Sequence, residues 1–454
     1  MTDHLTQRLW SPFWSRAHDE FFVTVNGRIT YRQARDGIGR WLTAFDAAGL
    51  GIGDRVVIRT DQEAVAAIAF ISALVDGVVP VLLEGTCPDA RLSAIVAAVE
   101  PGLVLSDSAL PDLGPDVSIR PLVDEPKPAR LSFLKRPAKT AGFGLDDAVA
   151  SRSPRQPAHD GLAYLMFTSG TTSEPAGVQI TRKNLAANLN TISRLFDYIP
   201  ASRIFNDMIL AHTDGMTQGP VLAAWNGCAV LRAGGFEVGQ VENWLGQVRQ
   251  MRATHVITVP TVWSLIDRYA AHDDYSDAPE CIWLMTVADK MPEALMRRLE
   301  DRFSRPMANH YGLTETVASA LYSGSGDALG ETGSLGRPVD CEARIAEGAD
   351  EGELELRGDN VFSGYWRNPE RTRQSFTEDG WFRTGDLVRA RQDGNFEMLG
   401  RLKTVIMTGG VLIRPDEIDE AMQRHPAVIE SATVGLPDEM FGEIAVTGVT
   451  LNTE

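Results

Sequence analysis

"YLMFTSGTTSEPAGV" runs from Tyr164 to Val178. An apolar strand opens into Thr168, Ser169, Gly170, Thr171, Thr172 and Ser173, and Pro175 and Gly177 close the stretch. Five hydroxyls, with backbone N–H groups freed by glycine, can wrap the oxygens of a phosphate. The GKS or GKT ending of a Walker A loop is absent, and the stretch holds no lysine or arginine. A surface turn rich in Ser and Thr has the same composition. Taken alone, the loop leaves phosphate binding and a plain turn both open.

On either side of the loop, strands alternate with helices. Before it come the strand "GDRVVIRT", the helix "QEAVAAIAFISALVDG" ending at Gly77, the strand "VVPVLLE", the helix "CPDARLSAIVAAVEP" with Asp89 in its first turn, and the strand "GLVLSD". Residues 111–160 are rich in Pro, Ser and charge, and read as irregular with at most one strand. After the loop come the helix "TRKNLAANLNTISRLF", the strands "FNDMILA" and "CAVLRA", the helix "VENWLGQVRQM", the strand "THVITVP", the helix "TVWSLIDRYA" and the strand "CIWLMTV". This alternation predicts an α/β fold with parallel sheets covered by helices. From about residue 330 the pattern changes to short strands with glycine-rich turns: "GELELRG", "GWFRTGDLVRA" and "NFEMLG". A last unit reads as a hairpin "KTVIMTGGVLIRP" turning at Gly409–Gly410, then a helix opened by Pro415, then the strands "ESATVGL" and "EIAVTGVTL".

The expected organisation is a large N-terminal domain, residues 1–399, made of two αβ-layered sheet subdomains (about 1–160 and 161–330) and a β-rich lobe (331–399). A small, incomplete α+β C-terminal domain, residues 400–454, follows.

The chain carries 43 basic and 61 acidic residues, a net charge of −18. That argues against nucleic acid or an anionic membrane surface as partner and predicts a cytoplasmic enzyme. An anionic substrate must then be held by local donors, against the field of the whole molecule. Cys87, Cys228, Cys281 and Cys341 are too widely spaced for a CxxC metal site or a disulfide framework, and read as reduced thiols. "MTDHLTQRLWSPFW" lacks the basic and apolar regions of a signal peptide, and no run of about 20 apolar residues predicts a membrane span.

Further motifs stand in order along the chain: "NHYGLTET" (309–316), "NVFSGYWRNPERTRQSF", "GWFRTGDLV" and "GRLKTVIMTGGVLIRPDEID" (400–419). Together with the loop they resemble the adenylate-forming superfamily of acyl- and aryl-CoA synthetases, peptide-synthetase adenylation domains and beetle luciferases. The resemblance covers about residues 160–445 and is closest to acyl- or aryl-CoA synthetases. It implies two steps. A carboxylate attacks the α-phosphorus of ATP to give an acyl-adenylate and pyrophosphate, and a thiol of coenzyme A or of carrier-protein phosphopantetheine then takes the acyl group.

Carried over residue by residue, the resemblance implies that Glu315 holds Mg²⁺ and that Thr314 meets the α-phosphate. It implies that Asp386 accepts the ribose hydroxyls, that Arg401 lies near ribose and phosphate, and that Tyr311 lies against adenine. The nucleotide site would draw on Thr168, Ser169, Gly170, Thr171, Thr172, Val287, Ala288, Asp289, Asn309, His310, Tyr311 and Gly312. Lys403 stands at the hinge about which the C-terminal domain rotates between steps. His212 in "HTDG" is similar to the family's HxxG motif, bordering the acyl pocket and the thiol tunnel. Met216, Thr217, Trp225 and His310 join it as pocket residues. No acid stands where relatives that activate amino acids clamp the amine, so a small carboxylic acid without an α-amino group is expected. Oligomeric state is not readable.

Four departures from the family pattern stand out. The loop has Ser173 and Ala176 where Gly and Lys are usual. "TVADKM" (286–291), with Asp289–Lys290, replaces the glycine-rich wall of the adenine site. His310 stands where Gly or Ala is usual, so its ring should shorten the acyl pocket or hydrogen-bond the substrate. The chain stops at "AVTGVTLNTE", before the segment bearing the family's adenylation lysine. Either this sequence is a piece of a longer one or that electrostatic device is missing. Two narrower readings therefore stay open: a single half-reaction, or a relative that binds nucleotide or acyl group without catalysis.

Overall fold

The computed structural model describes residues 4–113, 117–122, 152–167, 176–271, 278–289, 291–408, 411–413, 415–438 and 442–451. Thr168, Ser169, Gly170, Thr171, Thr172, Ser173, Lys290, Gly409 and Gly410 lie outside them.

The α/β reading is borne out. Strands Arg55–Arg59, Val79–Leu83, Leu103–Ser106 and Ile119–Pro121 form a parallel four-stranded sheet. Helix Glu63–Asp76 is buried from Val65 to Asp76, as befits a helix apolar around its whole circumference. A nine-stranded sheet follows the order 337–338, 321–324, 307–311, 283–287, 255–258, 203–206, 229–232, 20–24, 27–30. Its central strands run parallel, with antiparallel strands at both margins. Strands Glu20–Thr24 and Gly27–Thr30 thus join the second sheet, although the sequence pattern groups them with residues 1–160.

"FNDMILA" was expected to be a strand throughout. The strand Arg203–Asn206 ends within it, because the Asn206 Oδ1 accepts from the Met208 N–H at 3.1 Å and turns the chain. The β-rich lobe is an antiparallel sheet of Cys341–Ile345, Glu351–Gly358, Phe382–Ala390 and Phe396–Arg401. The last sheet pairs Ile406–Thr408 with Val411–Ile413 and with Gly442–Leu451, which pairs in turn with Val428–Asp438. Helix Pro415–Gln423 is pinned to it by Asp419, whose carboxylate accepts from the Thr433 hydroxyl (2.7 Å) and N–H (3.1 Å).

Strands Leu162–Phe167 and Gly177–Thr181 pair antiparallel with Phe167 opposite Gly177, which fixes both ends of the hydroxyl-rich loop. Thr181 and Asn184 then form a capping box that starts helix Arg182–Leu195. The Asn184 amide also donates to the carbonyls of Asp359 (2.8 Å) and Val361 (2.7 Å). From there the segment "VFSGYW" is stitched along strand Gly177–Thr181. Gln179 N–H donates to Gly364 O, Ser363 N–H to Gln179 O and Trp366 N–H to Gly177 O. Phe362 N–H reaches the carbonyl of Glu315 at 2.7 Å. The loop hairpin and the "LTET" turn are therefore braced by one continuous piece of backbone.

Gly312 opens that turn, and a Cβ there would collide with the Ala318 carbonyl oxygen. Gly312→Ala should therefore displace the turn and destabilise the fold by about 1–3 kcal/mol, the usual cost of overpacking. The chemical-denaturation midpoint measures it, and an unchanged midpoint would show that the backbone gives way freely.

Candidate active site

Ala288 and Asp289 follow strand Trp283–Val287, and Asn309–Gly312 end the neighbouring parallel strand Met307–Tyr311. A cavity of about 200 Å³ lies beyond these carboxyl ends, where open α/β sheets place their ligands. It is lined by Ala288, Asp289, Asn309, His310, Tyr311 and Gly312 from the large sheet, and by Asp386, Met398, Arg401 and Thr404 from the β-rich lobe and its exit, with Leu335 between. Eight residues expected at the nucleotide site from sequence are thus brought together in one place.

Asp386 is 1% exposed. Its Oδ2 accepts from the Tyr311 hydroxyl at 2.6 Å, and its Oδ1 lies 3.2 Å from the Arg401 Nε. The arginine contact follows from register, since Asp386 and Arg401 are direct partners on neighbouring antiparallel strands. Burial raises the Asp386 carboxyl above its ordinary range, while Tyr311 and Arg401 pull it back. Burial beside this carboxylate also pushes the Tyr311 phenol well up, so it stays a donor.

The adenine wall departs from a glycine-rich stretch at a strained point. Ala288 has φ 75°, the left-handed region that costs a residue with a Cβ roughly 1–2 kcal/mol. The Val287 side chain, expected on this wall, is instead in the apolar core and 1% exposed. Strand alternation turns it inward and leaves Ala288 as the wall. The Asn309 Oδ1 is buried and has no partner among the described residues.

Thr314 and Glu315 occupy the short turn Thr314–Thr316. The turn closes on Val317, a β-branched residue at φ 68° and fully buried, another strained position beside the site. Glu315 Oε1 accepts from the Tyr365 hydroxyl at 2.7 Å. Tyr365 is itself fixed, its N–H donating to the Thr372 hydroxyl (2.9 Å) and the Arg371 guanidinium lying 4.2 Å from its ring centre. Sequence reasoning quoted "SGYW" without giving Tyr365 a role. Only the stitched backbone brings it to Glu315.

His212 is exposed and stands before the single turn Thr213–Met216. Gly215, which completes its motif, is required, because a Cβ would collide with the Ile209 carbonyl. Met216 is fully buried in the apolar core, and the Thr217 hydroxyl is spent on the Thr213 carbonyl at 2.6 Å. Trp225 is 3% exposed with Arg8 stacked on its ring. Neither Met216 nor Thr217 thus offers a free polar group. The residue that does reach the site from this segment is Gln218, whose Oε1 lies 3.1 Å from His310 Nδ1. Nothing in the sequence marked it, because a π-helical turn at Thr217–Val221 sets its direction.

Lys403 lies exposed in the turn after strand Phe396–Arg401, between the β-rich lobe and the last sheet. Ala176 is partly buried against the core, so the end of the loop hairpin brings no charge. Among the described residues no cluster of three or more His, Cys, Asp or Glu could hold a metal, and no helix is long and apolar enough to cross a membrane.

Comparison with known proteins bears on the family and the fold. Sulfoacetate–CoA ligase of Cupriavidus necator is 33% identical over 439 residues, covering 93% of this chain and 82% of that protein. Oxalate–CoA ligase of Arabidopsis thaliana is 28% identical, covering 94% and 84%. Among solved structures, ATP-bound MatB from Rhodopseudomonas palustris superposes with a TM-score of 0.86 at 24% identity, over all of this chain and 89% of that one. The Bacillus subtilis o-succinylbenzoate coenzyme A synthetase bound to AMP gives 0.83 at 21% identity, over 99% and 89%. These two likenesses bear on the fold. The family model described as "AMP-binding enzyme" matches residues 14–366. With most of its length matched and its relatives named as CoA ligases, the chain belongs to the AMP-binding enzyme family, among the AMP-forming acid–thiol ligases.

Proposed function

We propose that the cavity bounded by Tyr311, Asp386 and Arg401 is where this ligase forms an acyl-adenylate from ATP and a carboxylic acid, for later transfer to coenzyme A. The observation that carries the reading is the Asp386 carboxylate. It is buried between two sheets yet open to the cavity, with a donor on either side. Such a group suits the paired hydroxyls of a ribose, which donate to both of its oxygens. Tyr311 presents its ring beside it, and Arg401, more than half exposed, can turn toward a phosphate.

Glu315 fits a hard cation. One of its oxygens is held by Tyr365. Mg²⁺ is commonly bound by one or two carboxylates plus substrate phosphates, and there it would offset charge developing on the phosphates. Thr314 offers a hydroxyl next to it. The protein's own part is to orient the two reactants and hold Glu315 in one rotamer. His212, Lys403 and the loop Thr168–Thr172 complete the proposed machinery, the first at the thiol side and the second at the hinge. Lys403 fits that role by its place in an exposed turn joining two sheets. Carrier-protein phosphopantetheine is the alternative acceptor.

Acid-dependent ATP–pyrophosphate exchange and thioester formation from synthetic acyl-adenylate test the two steps separately. Both should be positive. Rapid thioester formation without exchange would restrict the chain to the second half-reaction, a reading that Ala176 favours by removing a cation from the phosphate loop.

Glu315→Gln keeps the size of the side chain and removes its charge. Exchange should fall about 10²-fold or more while the melting temperature holds. Tyr365→Phe leaves Glu315 charged but free to rotate. Loss of such an outer partner commonly weakens metal affinity about 10–100-fold, so the Mg²⁺ concentration for half-maximal exchange should rise by that factor and saturating Mg²⁺ should restore the rate. A rate that stays low at any Mg²⁺ concentration would assign Tyr365 to the fold instead.

A further inference from the structure

His310 lines the cavity and carries a buried ring nitrogen that no group among the described residues pairs. It sits on strand Met307–Tyr311, 1% exposed, with its ring stacked on Phe196 (centroids 4.6 Å apart, planes at 21°) and edge-on to Tyr322 (5.2 Å, 64°). Phe196 and Tyr322 are fully buried. The three rings pack on one another, and His310 alone of them lines the cavity.

The hydrogen bonds assign the imidazole's protons. Asp214 can only accept when ionised, so the Gln218 Nε2 donates to its Oδ1 at 2.7 Å. Gln218 Oε1 then faces His310 Nδ1 at 3.1 Å, and that nitrogen must be the donor. His310 Nε2 is left with a lone pair, buried and without a partner among the described residues. Burial also pushes the ring's pKa down to about 3, so the lone pair persists at neutral pH. The π-helical turn that aims Gln218 contains Gly219 at φ −116°, ψ −107°. Such turns interrupt a helix at a cost, and they recur where a side chain must be re-aimed at a site.

A buried acceptor left unpaired is costly, and a polar ligand group that satisfies it recovers the cost. We propose that the acid activated here carries, away from its reacting carboxylate, a hydroxyl that donates a hydrogen bond to Nε2 of His310. Alkyl chains and aryl rings leave that acceptor unpaired. This inference rests on the acid-activating reading above.

The test is acid-dependent ATP–pyrophosphate exchange with a polar set (glycolate, lactate, 3-hydroxypropionate) and an apolar set (propionate, hexanoate, benzoate). The best polar acid should exceed propionate by about 10²-fold or more in kcat/KM, since a site built to pair a polar group rejects analogues lacking it. His310→Leu should erase that gap through KM for the acid, with little change in KM for ATP. Gln218→Met, which releases the ring without touching the cavity wall, should narrow the gap about tenfold. Melting curves of both variants guard against misfolding. Hexanoate or benzoate outperforming every polar acid would overturn the proposal while leaving acid activation intact. A polar preference that survives His310→Leu, or a loss shared equally with ATP, would also overturn it. Exchange with none of the acids would instead remove the acid-activating reading, and this proposal with it.

Discussion

The site depends on where one buried carboxylate finds its partners. Asp386 belongs to the β-rich lobe, Tyr311 to the large sheet, and they meet at 2.6 Å. An ionised carboxylate removed from water costs several kcal/mol unless it is paired and hydrogen-bonded. The lobe cannot be displaced from the large sheet without breaking the Tyr311 bond and leaving Arg401 as the only charged partner. The same pairing faces the cavity. What secures the lobe against the sheet is thus the group best suited to hold a ribose, so the ligand site and the interface between sheets are one structure.

Motif order made most of this legible. Asp386 and Arg401 lie in "TGD" and "GRLK", Tyr311 and Glu315 in "YGLTE", and the structure gathers them because Asp386 and Arg401 pair across neighbouring strands and the Tyr311 hydroxyl reaches Asp386 from the large sheet. The strand and helix pattern was readable for the same reason: apolar runs of about five residues between glycine and proline punctuation. What was not legible depends on direction, which periodicity does not carry. Val287 reads as part of a wall and is in the core. Asn206 stops a strand that its neighbours would continue. Gln218 is aimed by a π-helical turn, and Tyr365 by four backbone bonds between distant segments. The N-terminal strands Glu20–Thr24 and Gly27–Thr30 look local and pair with a sheet completed two hundred residues later.

Charge sets a second condition. The chain carries −18, and the cavity itself is lined by Asp289 and Asp386 against Arg401. An anion approaching this surface is repelled over about a Debye length, roughly 8–10 Å at ordinary ionic strength. Within that distance, binding must come from short-range donors such as hydroxyls, backbone N–H groups and Arg401. A loop of five hydroxyls without a lysine is consistent with such a strategy. Hydroxyls and N–H groups lose less to desolvation than a buried ammonium, and their geometry selects phosphate oxygens even when the wider field opposes them.

Strand Met307–Tyr311 then divides the labour. Successive side chains on a strand point to opposite faces. Asn309 and Tyr311 share one face, and Tyr311 reaches Asp386 in the lobe. His310 points the other way and reaches Gln218 on the helical segment after His212. Adjacent residues lining one cavity are thus braced by different parts of the fold. On the proposed reading, a substitution at position 310 would alter the acyl end while Tyr311 kept its bond to Asp386. Nucleotide binding and the choice of acid would then be separated by a single peptide unit, so that one could change without rebuilding the other.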